Sequence, residues 1–455
     1  MNSVMHAIRT LWTWLALAAL ATGCATVRQA REAQNPARVP PGERTVTPAE
    51  AGLGTNTLLT MEAALAVADA YHPTVVQARQ NLAAAARQFD QTKAARRPSV
   101  DASAGYSRST ANIKGAPESH TSGGSYSAGL SADWTVYDFG RSPAAVREAF
   151  ARLRAAEQSL RAARLDVSYG VRTAWYELNQ AEELLRVAEE TVRQFEVHLD
   201  QARSLVEIGK RIRYDITKAE VDLGNARLDL INARNAVITA RATVNRRLGL
   251  AEDPGYRLAE TGSEETTPPF EEAMTVARER QPQLRALREN VLAASAAVDR
   301  AVAELYPSLT LSAEYAWAGS AFPLIWNWAI SPRGVWNVFS GGGRVAAVDE
   351  AVALLRAARA RAADGEQQIS LDLSQAYAQL DGARQRRDLA DLIVRQARES
   401  LDLVSERYRL GQASAVERTD AETALTKARA DQVKARFDCY AAVALIRFTM
   451  GEDGL

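Results

Sequence analysis

Residues 209–249, GKRIRYDITKAEVDLGNARLDLINARNAVITARATVNRRLG, are matched without a gap by residues 411–451, GQASAVERTDAETALTKARADQVKARFDCYAAVALIRFTMG. The shift is constant, since 411 − 209 and 451 − 249 both give 202. The matching positions include the pairs Asp215/Glu417, Thr217/Thr419, Ala219/Ala421, Leu223/Leu425, Ala226/Ala428, Arg227/Arg429, Ala233/Ala435 and Arg234/Arg436. A period of about two hundred residues is too long for a short-repeat solenoid, so the chain is predicted to consist of two similar halves.

The duplication extends towards the N-terminus of each half. Trp134-x-Val136-Tyr137 matches Trp336-x-Val338-Phe339 at the same shift. The pair Gly140-Arg141 matches Gly343-Arg344 if one residue is inserted. Further upstream, Pro73 and Pro98 match Pro282 and Pro307 at a shift of 209. These matches define a first repeat over residues 58–252, a linker over 253–268 and a second repeat over 269–451.

The composition excludes several classes of function. The chain of 455 residues has a formal net charge of zero and no basic cluster, which argues against a nucleic-acid partner. Its two cysteines and four scattered histidines show no metal-ligand spacing, so no metal site is expected. Nucleotide-binding and hydrolase motifs are absent from the sequence. We therefore expect neither an enzyme nor a cofactor.

The N-terminus reads as a targeting segment. Arg9 and the short apolar run over residues 11–21 are typical of a signal peptide, here assigned to residues 1–23. The run ends in Ala21-Thr22-Gly23-Cys24, which resembles a bacterial lipoprotein signal in which Cys24 becomes the acylated N-terminus. An ordinary signal peptide with an incidental cysteine is the alternative. Residues 24–57, with four prolines and no periodicity, are predicted to be an extended, lipid-anchored tether.

Two proline-free tracts, between Pro143 and Pro254 and after Pro332, have the composition of long helices. Gly209 and Gly411 interrupt them at equivalent places and predict helix-ending turns. Helices are therefore expected over about 143–208, 213–248, 344–410 and 414–450, and the first would be about 100 Å long. On the second helix a heptad seam follows a three–four spacing at Ile216, Ala219, Leu223, Ala226, Leu230, Ala233, Val237, Ala240 and Val244. The second repeat carries Arg418 and Gln432 in two of these slots.

Four segments alternate apolar and polar residues with the period of a β-strand, over about 99–108, 124–138, 308–317 and 324–339. In residues 125–136 the even positions, such as Leu130, are apolar, and the odd positions, such as Ser131, are polar or glycine. Five of the eight tryptophans lie on these segments, at positions 134, 317, 326, 328 and 336. Pro332 is predicted to break the last strand. Tryptophans on strands of this alternating kind are typical of the aromatic girdle of a membrane β-barrel. Such barrels need about eight strands or more, so four strands per chain predict that several chains share one barrel.

These features together resemble the TolC-type outer-membrane efflux channel family. The resemblance rests on the doubled Trp-x-Val-aromatic…Gly-Arg junction (Trp134, Gly140, Arg141; Trp336, Gly343, Arg344) and the doubled glycine turn followed by Asp/Glu-x-Thr-x-Ala. It implies a mainly α fold with a membrane β-barrel: a homotrimer with a twelve-stranded barrel in outer-membrane lipid and an α-helical periplasmic tunnel. The implied function is a passive exit duct that carries drugs, metals or other small solutes to the exterior and works with a periplasmic adaptor and an inner-membrane pump. Type I polypeptide secretion is the alternative.

The same resemblance assigns roles at the periplasmic tip. It implies a gate latch between Tyr408 and Asp215. A second family latch uses an arginine two places after the second glycine, where this chain has Ala413, and Arg211 or Arg213 is a candidate replacement. Glu417 and Asp420 match an acidic constriction that favours cations, or else form a solvated helix start. Gly209, Gly411 and Ser414 match turns that contact the adaptor.

Two other protein classes also fit part of the sequence. A periplasmic adaptor combines a lipid anchor with a helical hairpin, but it would carry one hairpin and compact β domains. A lipid-anchored structural coiled coil would leave the tryptophan-bearing strands unexplained. Ion conductance in bilayers separates the channel from both.

Overall fold

The computed structural model describes residues 25–34, 40, 44, 46–54, 56–111, 121–259 and 266–452. Cys24 and the signal peptide lie outside these residues. The helices are α1 (25–33), α2 (Met61–Tyr71), α3 (Pro73–Ala94), α4 (Arg141–Glu207), α5 (Arg213–Leu248), α6 (Phe270–Arg280), α7 (Pro282–Ala303), α8 (Gly343–Arg409) and α9 (Ala415–Met450). The strands are β1 (Leu58–Leu59), β2 (Ser99–Ala111), β3 (Thr121–Tyr137), β4 (Arg257–Leu258), β5 (Ser308–Gly319) and β6 (Ile325–Val335).

The duplication is visible in the lengths of the helices. Both α4 and α8 have 67 residues, and both α5 and α9 have 36. The shorter pairs match as well, with 11 residues in α2 and α6 and 22 in α3 and α7. Every end of the four long helices lies within two residues of its predicted position. No helix in the described ranges combines the length and the apolar character that a bilayer crossing requires.

The long helices lie side by side in one layer. In this layer α4 packs between α5 and α9, and α8 packs on the other side of α9. Nearer the strands, α4 packs against α3 and α7, and α7 against α8. The predicted seam of α5 forms as expected, since Ala219, Leu223 and Ala226 are buried against Phe195 and Leu199 of α4. The two lateral edges of the layer are therefore α3 with α5 on one side and α8 on the other.

Each half adds a short helix to the layer and buries a core beneath it. In the first half α2 covers Trp175 and Leu178 of α4 together with Leu248 of α5. In the second half α6 covers Leu373 of α8 and Ile446 of α9. Burial of such large apolar side chains contributes about 1.5–3 kcal/mol each. These cores join the middle of α4 and α8 to the C-terminal ends of α5 and α9.

The predicted tether and linker are more ordered than expected. Residues 25–33 are helical rather than extended, and Val46 is fully buried and bridged to Leu250. Within the predicted linker, β4 pairs in parallel with β1, and Tyr256 is fully buried with its hydroxyl donating to Asn245 Oδ1 at 2.8 Å. The tether was predicted from its four prolines and its lack of periodicity, and neither feature shows whether a single side chain such as Val46 is buried.

The four long strands form one antiparallel sheet in the order β2-β3-β5-β6. Directly paired residues on neighbouring strands point to the same face of a sheet. The register therefore extends the predicted apolar and polar faces of β3 across all four strands. Leu130 of β3 pairs with Ala102 and with Tyr315, and Tyr315 pairs with Trp328. Ser131 and its partners Asp101 and Glu314 form a polar row instead. The two alternating faces are thus continuous apolar and polar surfaces.

Two expectations for the last strand were wrong. The strand continues through Pro332, which pairs with Leu311, although a break was predicted there. Within one chain β6 is paired on one side only, and proline in a sheet is found mainly on such strands. The strand ends at Val335, so Trp336 and Val338 lie beyond it.

The strand–helix junctions repeat at a constant shift, and the predicted one-residue insertion is wrong. The left-handed glycine before α4 is Gly140, with φ 97°, and the one before α8 is Gly342, with φ 83°, rather than Gly343. Trp134 Nε1 donates to the Arg96 carbonyl and Trp336 Nε1 to the Leu305 carbonyl, each at 3.1 Å. Both tryptophans therefore tie a strand segment to the end of the preceding helix.

The two arginines of these junctions play different parts. Arg141 lies 3.9 Å from the carboxylate of Asp138, which also accepts from the Ser142 backbone N–H at 2.8 Å. Arg344 instead donates to the Glu304 carbonyl at 2.6 Å. Matching the two arginines gave an insertion that the structure does not contain, because the left-handed glycine and not the arginine defines the junction.

Candidate functional site

The helices α4 and α8 end, about 100 Å from the sheet, in two turns of the same design. At the first, Gly209 has φ 75° and the Lys210 N–H donates to the Leu205 carbonyl at 2.9 Å. At the second, Gly411 has φ 79° and the Gln412 N–H donates to the Arg407 carbonyl at 2.8 Å. This is the Schellman geometry, which needs a left-handed residue and therefore favours glycine. Both predicted turns are formed and exposed.

The return helices begin differently. Ser414 caps α9 in a capping box, since its Oγ accepts from the Glu417 N–H at 3.1 Å and Glu417 Oε1 accepts from the Ser414 N–H at 3.2 Å. The bonds from the Ser414 backbone and then from its hydroxyl lower the pKa of the Glu417 carboxyl. Ile212 caps α5 with no side-chain hydrogen bond. Ser414 and Glu417 thus act together in starting α9.

Arg211 joins the first turn to the second. Its Nη2 donates to the carbonyls of Tyr408, at 3.1 Å, and Ala413, at 2.9 Å. Its guanidinium lies over the Tyr408 ring, 4.3 Å from the ring centroid, and its Nε is 3.9 Å from Asp215. Arg211 stands two places after the first glycine, and Ala413, whose carbonyl it binds, stands two places after the second. The candidate replacement arginine therefore makes a cross-turn clamp within one chain.

The predicted latch partners lie close together but are not hydrogen-bonded. Tyr408 is 2% exposed, and its hydroxyl has no hydrogen-bond partner among the described residues. Burial, and after it the nearby Asp215 carboxylate, raises the pKa of this hydroxyl. Its ring is held between Arg211 and Arg418, whose guanidinium is 5.3 Å from the centroid. The predicted bond between Tyr408 and Asp215 is absent from this chain because the arginines position the tyrosine through its ring.

Behind Tyr408, a buried polar chain crosses from α4 to α9. His198 Nδ1 lies 3.2 Å from Glu422 Oε2, and Glu422 Oε1 accepts from Arg418 Nε at 3.1 Å. Arg418 also donates to Gln201 Oε1 at 2.8 Å. Buried ion pairs hold only when their hydrogen bonds are satisfied, and removal of one partner costs several kcal/mol. These polar contacts were not predicted from the sequence. The signal that could have indicated them is Arg418, a charged residue at a position of the heptad seam that is apolar in the first repeat.

A second polar contact joins α5 to α9. Thr419 Oγ1 donates to Asp222 Oδ2 at 3.0 Å, and Asp222 is also paired with Lys218. The other seam polar residue, Gln432, donates to Asp391 Oδ1 of α8 at 2.8 Å. The contact of Thr419 with Asp222 therefore links the two hairpins near the tip, whereas Gln432 and Asp391 join α9 to α8 within the second hairpin.

The proposed constriction residues have different surroundings. Glu417 is engaged with Ser414 and lies 3.7 Å from Arg407. Asp420 is exposed and forms no hydrogen bond or ion pair with any described residue. No group of three or more metal-ligating side chains occurs in the described part of the chain.

Comparison with known proteins decides the family. The sequence profile described as "Outer membrane efflux protein" matches residues 64–250 and 274–452, which is more than half of the chain. The chain belongs to the outer membrane efflux protein family. Members of this family are channels of the outer membrane that act with adaptor and pump partners rather than as enzymes. Comparison with curated protein sequences gives no match.

Solved structures show the same fold. CusC is 18% identical with a TM-score of 0.79, and the match covers 88% of this chain and 94% of that one. The Campylobacter jejuni channel CmeC is 17% identical with a TM-score of 0.79 over 86% and 85%. VceC of Vibrio cholerae is 19% identical with a TM-score of 0.77 over 86% and 96%.

Proposed function

We propose that three copies of this chain close into one twelve-stranded barrel continued by a helical tunnel. The observation that carries this proposal is the four-stranded sheet, whose β2 and β6 are paired on one side only within the chain. In lipid every backbone polar group needs a partner, so such edges are stable only when the sheet closes. Four strands are too few for one chain to close, since the smallest membrane barrels have about eight.

The lateral edges of the helical layer support the same assembly. On α5 a second stripe of exposed apolar residues follows heptad-like spacing, at Val221, Leu228, Ile231 and Ile238. On α8 large apolar residues are also exposed, at Leu354, Leu371, Leu389, Leu392, Ile393 and Leu403. Exposed stripes of this spacing are typical of helices that pack on another helix. A neighbouring copy places its α8 beside α5 and covers both.

The assembled trimer is proposed to be the passive exit duct of a tripartite efflux system for small solutes. At the tip, Ile208, Ile212 and Leu410 are more than 60% exposed beside the glycine turns. An exposed apolar patch at the end of a helical layer suits docking of the tip of another helical protein, here the periplasmic adaptor. The Ser414 hydroxyl is already used in the capping box, so docking rests on the apolar side chains and the turn backbone.

The test is ion conductance of the purified protein in planar bilayers, together with drug and metal susceptibility of a deletion strain. Stable single-channel currents and increased susceptibility are expected. Loss of secretion of one polypeptide with unchanged susceptibility would instead assign the channel to type I secretion. Absence of conductance from a purified, membrane-inserted trimer would contradict the channel.

Asp420→Asn is expected to reduce the cation preference of the channel. Asp420 is exposed and unpaired among the described residues, so its charge is available to ions in the tunnel. Glu417→Gln should change selectivity less, because the Glu417 oxygens are held by Ser414. The reversal potential in a salt gradient measures both. Equal shifts for the two variants would show that the capping box does not restrain Glu417.

Cys24→Ser is expected to abolish lipid attachment while leaving trimers in the membrane, because the barrel itself holds the protein there. The proposal rests on the Ala-Thr-Gly-Cys run, and the position lies outside the described residues. Mass spectrometry of the mature N-terminus measures acylation directly. An unmodified N-terminus at another position would refute the anchor.

A further inference from the structure

An open pocket of about 640 Å³ lies where α4 passes the junction of α6, α7 and α9. Its lining includes one carboxylate, that of Glu452, and five arginines, Arg161, Arg172, Arg280, Arg285 and Arg447. Tyr169 and Phe448 form part of its wall, stacked with their ring centroids 4.7 Å apart. The pocket is far from the turns and has no part in the gate.

Three of the five pocket arginines, Arg161, Arg280 and Arg285, form no ion pair with a carboxylate among the described residues. Arg285 uses its Nε to donate to the Glu279 carbonyl at 2.6 Å, and no described carboxylate forms an ion pair with it. Ser168 is 5% exposed, lines the pocket, and forms no hydrogen bond through its hydroxyl to a described residue. The guanidinium groups of Arg161, Arg280 and Arg285 and the Ser168 hydroxyl therefore line the pocket as donors, and no described carboxylate is paired with these arginines.

Three of the five arginines are not repeated at the equivalent helix junction of the first half. By the shifts of the duplication, Arg280, Arg285 and Arg447 correspond to Tyr71, Val76 and Asn245 in the first half. There α2, α3 and α5 form the equivalent junction with no arginine at these places. These three arginines are therefore specific to the second half, and they meet Arg161 and Arg172 of α4 at the pocket.

The position of the pocket excludes lipid headgroups and a neighbouring copy of the chain as the source of its ligand. Leu165, which lines it, is 24 residues beyond the start of α4, so the pocket lies about 36 Å along the helix from the sheet. Phospholipid headgroups at the barrel are out of reach at that distance. Since α4 and α9 each have helical neighbours on both sides, the pocket also lies away from the lateral edges where another copy would pack.

We propose that this pocket binds a water-soluble oligoanion that carries at least two carboxylate or phosphate groups. Guanidinium groups bind both anions through paired, charge-assisted hydrogen bonds. A volume of about 640 Å³ is in the usual range for a small-molecule site. The pocket surrounds its ligand with Arg161 on α4, Arg280 at the end of α6 and Arg285 in the first turn of α7.

Calorimetry of the full-length, detergent-solubilised protein with citrate and with tripolyphosphate tests this proposal. The wild type is expected to bind at least one probe, and the stronger one shows whether carboxylate or phosphate is preferred. Arg161→Gln combined with Arg280→Gln should weaken that binding at least about tenfold. The matched control is Arg278→Gln, an exposed arginine in the same last turn of α6 that does not line the pocket.

A single Arg280→Lys variant adds a second measurement that does not depend on the double change. It keeps the charge but loses the paired geometry, so its affinity should lie between those of the wild type and Arg280→Gln. Unchanged melting temperatures and channel conductance verify that the variants are folded. Binding of neither probe to the wild type, or equal weakening by Arg278→Gln and Arg280→Gln, would overturn the proposal and leave the proposed channel function intact.

Discussion

Leu130→Arg should prevent most of the protein from assembling in the outer membrane. Leu130 lies near the middle of β3, in the apolar row that includes Ala102 and Tyr315. A charged side chain on the lipid face of a barrel costs about 2–4 kcal/mol near the bilayer midplane. Because each trimer would carry three such charges, the loss should be large. The yield of trimer in the outer-membrane fraction measures it.

Ser131→Arg is the matched control, one residue further along the same strand. Ser131 belongs to the polar row with Asp101 and Glu314, which the proposed barrel turns towards its lumen. An arginine there faces water and two acidic neighbours, so trimer yield should match that of the wild type. Equal loss with both variants would show that the two faces of the sheet are assigned wrongly.

Arg211→Gln should open the periplasmic end and raise single-channel conductance severalfold. The change removes two charge-assisted hydrogen bonds across the turns, to the Tyr408 and Ala413 carbonyls, and the contact with the Tyr408 ring. A hydrogen bond to a charged group contributes about 1.5–3 kcal/mol net. With both bonds lost in every copy, the two hairpins should separate more readily at the tip.

Tyr408→Phe is the control, because it keeps the ring between Arg211 and Arg418 and removes a hydroxyl with no partner in the described chain. Its conductance should stay near that of the wild type. If Tyr408→Phe opens the channel as far as Arg211→Gln does, the hydroxyl has a partner in a neighbouring copy. The latch implied by family resemblance would then act between chains.

The long-range architecture was accessible from the sequence because it depends on periodic burial. Heptad spacing placed α5 on α4, and period-two alternation placed Leu130 and Ser131 on opposite faces. Glycines with positive φ marked the ends of the helices, since few other residues adopt that conformation. Pro332 was misjudged because the sequence does not show which strand lies at the edge of a sheet.

The candidate site was predictable in position but not in its bonds. Arg211, Tyr408 and Asp215 were each singled out, yet which pairs would bond depends on side-chain directions at the crossing of four helices. His198 was passed over as one of four scattered histidines, because its partner Glu422 lies 224 residues away in the chain. A charged residue at a seam position, such as Arg418, indicates a buried polar contact better than the scattered histidines do.

The equal lengths of the paired helices restrict which insertions and deletions the two hairpins tolerate. The helices α4 and α8 have 67 residues each, and α5 and α9 have 36 each. The two turns therefore lie side by side, and Arg211 of the first turn can bind the Ala413 carbonyl of the second. A heptad inserted into one hairpin alone would raise its turn by about 10 Å and part the two. The two helical hairpins must therefore keep the same length. An insertion or deletion in one hairpin preserves the contact between the turns only when the other hairpin changes by the same number of residues.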